Sequence, residues 1–218
     1  MNTADGWMVA AWLLSAYLLG AVPFGLLVAR GMGAGDIRRQ GSGNIGATNV
    51  LRTAGRLAGA IALLLDMLKG LLPVLLARQW WGADAPLIGG IALALFLGHL
   101  YPVYLRFQGG KGVATGLGIY LAWTPEVGLY AVLTWLVTAL VWRTSSLAAL
   151  AAFLLLPALL FSQGSRTAMA TALIMVPWIF WRHRANIQRL ALGTEPRIGR
   201  SDAARAPGSP PADPAGVP

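Results

Sequence analysis

The sequence predicts an all-α, polytopic integral membrane protein, and three observations lead there. Of the 218 residues, 56% are hydrophobic and only 11% are charged, above the roughly 45–50% apolar content of soluble domains. Long uncharged runs recur, and the first, residues 8–29, covers the ~30 Å hydrocarbon core at about 1.5 Å rise per residue. The cations gather between alternate runs instead of being spread along the chain.

Taken in order, run 8–29 reads as a retained span, because a cleaved secretory signal carries cations ahead of its apolar core and only Asp5 precedes this one. Arg30, Arg38, Arg39, Arg52 and Arg56 follow it. Positive loops stay on the cytoplasmic side, so the amino terminus is expected outside. Apolar runs at 57–77, 86–105, 113–123, 127–142, 147–161 and 168–181 then complete seven spans and leave the carboxyl terminus in the cytoplasm. On that count only Arg78 and Arg166 face outward. The last four runs are short for a bilayer, so five spans with re-entrant segments is the alternative. Trp7, Trp80, Trp81, Trp123, Trp142, Trp178 and Trp181 fall at proposed span ends, where an amphipathic indole is favoured. The net charge of +9 is therefore a topology signal, and no nucleic-acid partner is expected. Cysteine is absent, which excludes disulfides and thiolate-held metals. Residues 1–200 read as one membrane-embedded domain, and 201–218, rich in Pro, Ala and Gly, as a disordered cytoplasmic tail.

Three polar segments stand out against this background. Gly41-Ser42-Gly43-Asn44-Ile45-Gly46 formally matches a dinucleotide-binding fingerprint, but that motif needs a preceding strand and here follows a membrane helix. What remains is a glycine-rich backbone able to converge N–H groups on an anion, with Ser42, Asn44 and Thr48 as side-chain donors and Arg52 one helical turn beyond Thr48. The second segment, 98–115, holds Gly109-Gly110-Lys111-Gly112. It is not a P-loop, since Leu105 stands where the first glycine belongs and Gly112 replaces the magnesium-holding hydroxyl residue. Flanking glycines leave Lys111 open to a phosphate, and a helix starting near Gly112 adds amide dipoles. A snorkelling interfacial lysine is the plainer alternative. The third segment places His183, Asn186 and Arg189 three residues apart, on one side of a helical continuation. His99 reads as a satisfied interior histidine, and Asp66 with Lys69, three apart inside the second span, as a structural pair.

Together these segments resemble the bacterial acyl-phosphate:glycerol-3-phosphate acyltransferases, the PlsY family. The resemblance rests on Gly-Ser-Gly-Asn-Ile-Gly-Ala-Thr-Asn-Val-Leu-Arg at 41–52, Gly-His-Leu-Tyr-Pro at 98–102, Phe-Gln-Gly-Gly-Lys-Gly-Val-Ala-Thr at 107–115 and His-Arg-Ala-Asn-Ile-Gln-Arg-Leu at 183–190. Asp66-Met67-Leu68-Lys69-Gly70 is similar to the family's second helix. One departure is Ala191, where the family usually carries a leucine.

The resemblance implies an enzyme of phospholipid biosynthesis in the bacterial inner membrane, with its active site facing the cytoplasm. It would move a fatty acyl group from acyl phosphate to the sn-1 hydroxyl of glycerol 3-phosphate, yielding lysophosphatidic acid and inorganic phosphate. It further implies that Ser42, Gly43, Asn44 and Thr48 cradle the acyl phosphate, that Arg52 and Lys111 hold glycerol 3-phosphate with Gly110 beside them, and that His183 and Asn186 close the site. Ser42, Lys111, His183 and Asn186 are the expected catalytic set. Acyl phosphate is already activated, so no cofactor or metal is expected, and no obligatory protein partner either. Either the donor's own phosphate or His183 serves as base. Two other classes compete: a small transporter of a phosphorylated solute, which would use Asp66 and Lys69 at mid-membrane, and a non-catalytic lipid-binding protein. An acyl-CoA enzyme is disfavoured because neither His99 nor His183 begins a His-x4-Asp box.

Overall fold

The computed structural model describes residues 3–83 and 85–199, so the expected tail at 201–218 lies outside the described residues. Among the described residues every regular element is helical: α1 (Thr3–Ala21), α2 (Phe24–Gly31), α3 (Ala47–Trp81), α4 (Pro86–Leu100), α5 (Val113–Trp123), α6 (Pro125–Trp142), α7 (Ser145–Gln163), α8 (Arg166–Arg182) and α9 (Arg184–Ala191), with 3-10 turns at Ile37–Arg39 and Val103–Leu105. Four helices are long and apolar enough to cross a membrane: α3, α4 with the turn that extends it, α6 and α7. The bent pair α1 and α2 makes a fifth if it is one crossing.

The expected uninterrupted helix at 8–29 is broken at Val22–Pro23, where the axis turns by 41°. Proline has no N–H to donate and cannot continue the ladder. At the break Val22 O accepts from Phe24 N at 3.1 Å and also from Lys69 Nζ at 2.9 Å, while Lys69 pairs with Asp66 Oδ1 at 2.7 Å. The intramembrane Asp66 and Lys69 thus pair as the sequence predicts, and the pair also caps a broken helix.

A second difference concerns α3, which begins at Ala47 inside the polar motif, ahead of the apolar run at 57. Its 35 residues span roughly 50 Å at 1.5 Å each, more than a bilayer core requires. The surplus lies before Gly55, whose φ of +89° and ψ of 179° kink the helix, a conformation open to glycine at little cost. Thr48, Asn49 and Arg52 therefore ride on a short polar helical foot, at fixed angular spacing.

Lipid tails are as apolar as leucine, so helices in a membrane associate by close packing of small residues. Along the α3–α5 seam a Cβ on Gly70 would overlap Thr115 O, and one on Gly118 would overlap Met67 O. The main core lies between α4, α5, α7 and α8 around fully buried Phe96, Tyr120, Trp123 and Phe153. A second cluster of Leu26, Ile37, Ile45 and Val50 anchors the 32–46 segment to α2 and α3.

Side-chain ties define the two ends of the bundle. At one end, Trp123 Nε1 donates to Ala83 O at 2.8 Å, and Gln163 Nε2 to Glu126 Oε2 at 2.8 Å. Trp12, Trp80 and Trp81 pack edge to face beside them. At the other end, Thr48 Oγ1 meets Ser145 Oγ at 2.9 Å and Arg143 donates to Ile198 O at 3.1 Å. All three polar segments converge on this second end.

Candidate active site

The glycine-rich turn before α3 is shaped by one buried carboxamide. Asn49, 2% exposed, accepts from Ser42 N at 2.9 Å and donates to Ile37 O at 3.0 Å and Gln40 O at 3.2 Å. This folds residues 37–42 around the amino end of α3. Asn44 Oδ1 accepts from Gly46 N at 2.9 Å, so its carbonyl oxygen serves the turn and its amide N–H groups point elsewhere. Ser42 is exposed, and Gly43 lines a cavity of about 260 Å³ with Ile45, Phe107, Gln108, Gly109 and the guanidiniums of Arg38 and Arg182. The first and second polar segments thus share one cavity.

From the second segment, Lys111 Nζ donates to Asn186 Oδ1 at 2.5 Å. Asn186 Nδ2 donates to Glu195 Oε1 at 2.6 Å, and Ser146 Oγ donates to the same oxygen at 2.7 Å. Arg189 Nε pairs with Glu195 Oε2 at 2.7 Å. One carboxylate therefore binds α7, α9 and, through Asn186, the lysine. Arg52 donates to Pro196 O at 3.4 Å, next to that carboxylate. Arg182 donates to Gly110 O at 2.9 Å and Gly109 O at 2.5 Å, fixing the second turn to the end of α8.

The electrostatics follow from this crowding. Burial, together with the positive fields of Arg189, Arg52 and Arg182, pushes the Lys111 ammonium down to about 8, while Glu195 pulls the other way. Glu195 is itself held below the usual carboxylate range by the hydrogen bonds from Asn186, Ser146 and Arg189, which outweigh its burial. His183, 2% exposed, is pulled down to about 4 by burial and by Lys111. Its Nδ1 lies 2.8 Å from Ile179 O, and a carbonyl only accepts, so Nδ1 carries the proton. A neutral His183 then presents Nε2 as an acceptor. Among the described residues, four cations bear on this corner, Lys111, Arg52, Arg182 and Arg189, against the single carboxylate of Glu195.

Comparison with known proteins identifies the architecture. The glycerol-3-phosphate acyltransferase family model matches residues 10–193. This chain belongs to that family. The glycerol-3-phosphate acyltransferase of Halorhodospira halophila is 53% identical over 184 residues, covering 84% of this chain and 92% of that one. The Cereibacter sphaeroides enzyme of the same name is 54% identical over 183 residues, covering 83% and 85%. A crystal structure of PlsY, an integral membrane glycerol 3-phosphate acyltransferase, in its glycerol 3-phosphate form superposes with a TM-score of 0.84 at 42% identity, covering 88% of this chain and 96% of that one. Its lysophosphatidic acid form gives 0.82 at 41%.

Within this acyltransferase frame, all nine residues singled out from the sequence lie at one end of the bundle. Thr48, Arg52, Lys111 and Asn186 join one set of contacts around Ser145, Ser146 and residues 195–196. Gly43 and Gly109 line the shared cavity, with Gly110 next in the chain, and Asn44 is half spent on its own turn. Sequence reasoning missed Asn49, Ser145, Ser146, Arg182 and Glu195. The Thr144-Ser145-Ser146 break between two apolar runs was the available signal for the serines.

Proposed function

We propose that this enzyme transfers a fatty acyl group from acyl phosphate to the sn-1 hydroxyl of glycerol 3-phosphate, giving lysophosphatidic acid and inorganic phosphate. The observation that carries it is the excess of four cations over one carboxylate at the end of an apolar bundle. Such a corner suits two phosphates, one water-soluble and one attached to a lipid tail. Arg52 and Lys111 hold glycerol 3-phosphate, and Ser42, Gly43, Asn44 and Thr48 hold the phosphate of the donor. Charged hydrogen bonds of this kind contribute about 1.5–3 kcal/mol each. Fixing two reactants in contact lowers a barrier by roughly 7–11 kcal/mol, so orientation supplies most of the catalysis.

In the proposed step the sn-1 oxygen attacks the acyl carbonyl carbon, the bond from that carbon to the phosphate oxygen breaks, and phosphate leaves with the electron pair. The hydroxyl proton passes to the departing phosphate. His183, its imidazole pulled down to about 4 by burial and by Lys111, is the weaker of the two candidate bases, and in this reading it orients the hydroxyl through Nε2. Asn186 keeps the Lys111 ammonium directed.

Purified protein given labelled glycerol 3-phosphate with either palmitoyl phosphate or palmitoyl-CoA tests the donor. The expected result is lysophosphatidic acid and phosphate from palmitoyl phosphate alone. Product from the thioester alone overturns the donor assignment, and product from neither overturns the activity.

The topology proposed with it has seven crossings, α1 and α2 forming the first and α3 to α8 the rest, with the amino terminus outside and the site facing the cytoplasm of a bacterial inner membrane. α5 has 11 residues, roughly 16 Å, and so covers only part of the ~30 Å core. Because cysteine is absent, single cysteines report sidedness cleanly. Ser162→Cys should react with an impermeant maleimide in intact spheroplasts, and Arg39→Cys only after permeabilisation; the reverse pattern inverts the orientation.

A further inference from the structure

A line of buried polar groups runs from the break in the first helix to the second glycine-rich turn, and the proposed reaction uses none of them. Lys69 links Val22 O to Asp66, whose Oδ1 lies 3.7 Å from His99 Nδ1. Thr115 Oγ1 is the hydrogen-bond partner of that ring nitrogen at 3.3 Å. Asp66, Lys69, His99 and Thr115 are between 0% and 4% exposed. Ionisable groups inside a span are expensive, and apolar side chains of the same volume would pack there at lower cost. A purely architectural role therefore explains them poorly.

His99 is the point where this line meets the site. Its carbonyl accepts from Gly110 N at 3.0 Å, and its ring lies against Gly110 so closely that all three nearest neighbours of an added Cβ belong to the imidazole. The Gly110 backbone is outside the left-handed region, so the ring, not the backbone, excludes a side chain there. Gly110 O in turn accepts from Arg182, and the next residue is Lys111.

We propose that His99 is a positioning residue for Lys111: hydrogen-bonded to Thr115 and packed beside Asp66, its ring and carbonyl fix Gly110 and thereby aim the lysine at its phosphate. The proposal rests on the assignment of Lys111 to glycerol 3-phosphate made above. It gives Asp66 and Lys69 a second use, since the pair at the break in the first helix also sets the polar wall beside the ring, with Asp66 Oδ1 3.7 Å from Nδ1.

A double-mutant cycle tests it. Gly110→Ala pushes the turn off the ring and is expected to raise KM for glycerol 3-phosphate about tenfold, with a smaller change in kcat. His99→Ala vacates the space that the new methyl needs, so Gly110→Ala added to His99→Ala should cost less than about twofold further. His99→Asn, which keeps a polar group for Thr115 and Asp66, serves as the second background should the alanine variant fold poorly. Suppression of the KM defect in either background supports the proposal, because a global packing defect would worsen in the double variant. An additive cycle overturns it. Lys111→Met measured alongside separates the two layers: a kcat/KM for glycerol 3-phosphate within twofold of the parent there overturns the substrate assignment and the aiming role with it, whereas an additive cycle beside a lowered kcat/KM overturns the role of His99 alone.

Discussion

Replacing Lys111 with methionine is expected to lower kcat/KM for glycerol 3-phosphate by about a hundredfold or more, the largest single-residue effect in this enzyme, because one charged hydrogen bond contributes about 1.5–3 kcal/mol and the phosphate it leaves is desolvated. Methionine keeps the length and apolar stem and removes only the charge and its donors. Steady-state kinetics in detergent or bicelles, with both substrates varied, check it. Loss confined to KM marks Lys111 as a holder of the ground state, and equal loss in kcat and kcat/KM marks a contact made in the transition state. Arginine should restore only a small part, since its planar fork cannot reproduce the point charge directed by Asn186 at 2.5 Å. Activity within twofold of the parent would remove Lys111 from the mechanism.

The same lysine sets the pH response. Its ammonium is pushed down to about 8, chiefly by burial and then by the neighbouring guanidiniums, with Glu195 opposing. In the proposed role the cationic form binds phosphate, so kcat/KM should fall as pH rises through about 8 and hold steady below it until the substrates take up protons. His183, at about 4, remains neutral across the working range and contributes no limb there. In Lys111→Met the alkaline limb should disappear together with most of the activity.

Much of the fold is legible in the sequence because the bilayer imposes crude rules. Apolar runs, cation asymmetry and tryptophans at run ends place most of the helices that are found. The rules fail where local chemistry competes with hydropathy. Proline at 23 breaks a run that hydropathy alone joins, and the polar foot of α3 reads as loop although Ala47 already starts the helix. The site divides in the same way. Glycine, hydroxyl and lysine clusters advertise an anion site by local density, so Ser42, Gly43, Thr48, Arg52 and Lys111 stand out. Ser145 touches Thr48 across 97 positions and Ser146 touches Glu195 across 49, and neither partner has a local pattern that announces the other. Glu195 is the clearest omission: it lies just past the motif at 183–190, and its importance comes only from the three donors that fold back onto it.

Those donors make Glu195→Gln and Glu195→Ala informative together. Glutamine keeps an acceptor for Ser146 and Asn186, 5% and 8% exposed, and gives up the pairing with Arg189, whose side chain is 39% exposed and can turn to water. Alanine strands both buried donors, at about 1–3 kcal/mol each, so it should lower the thermal unfolding midpoint clearly while glutamine lowers it little. The charge has a separate consequence. A negative Glu195 favours the protonated lysine, so either substitution removes that support and the alkaline limb of kcat/KM should move below about 8. Glutamine isolates this electrostatic effect from the packing loss, because its shape is retained. If the limb stays in place in Glu195→Gln while the activity falls, the carboxylate acts through geometry alone; if it shifts down with stability intact, one acidic side chain is tuning the cation that holds the acceptor.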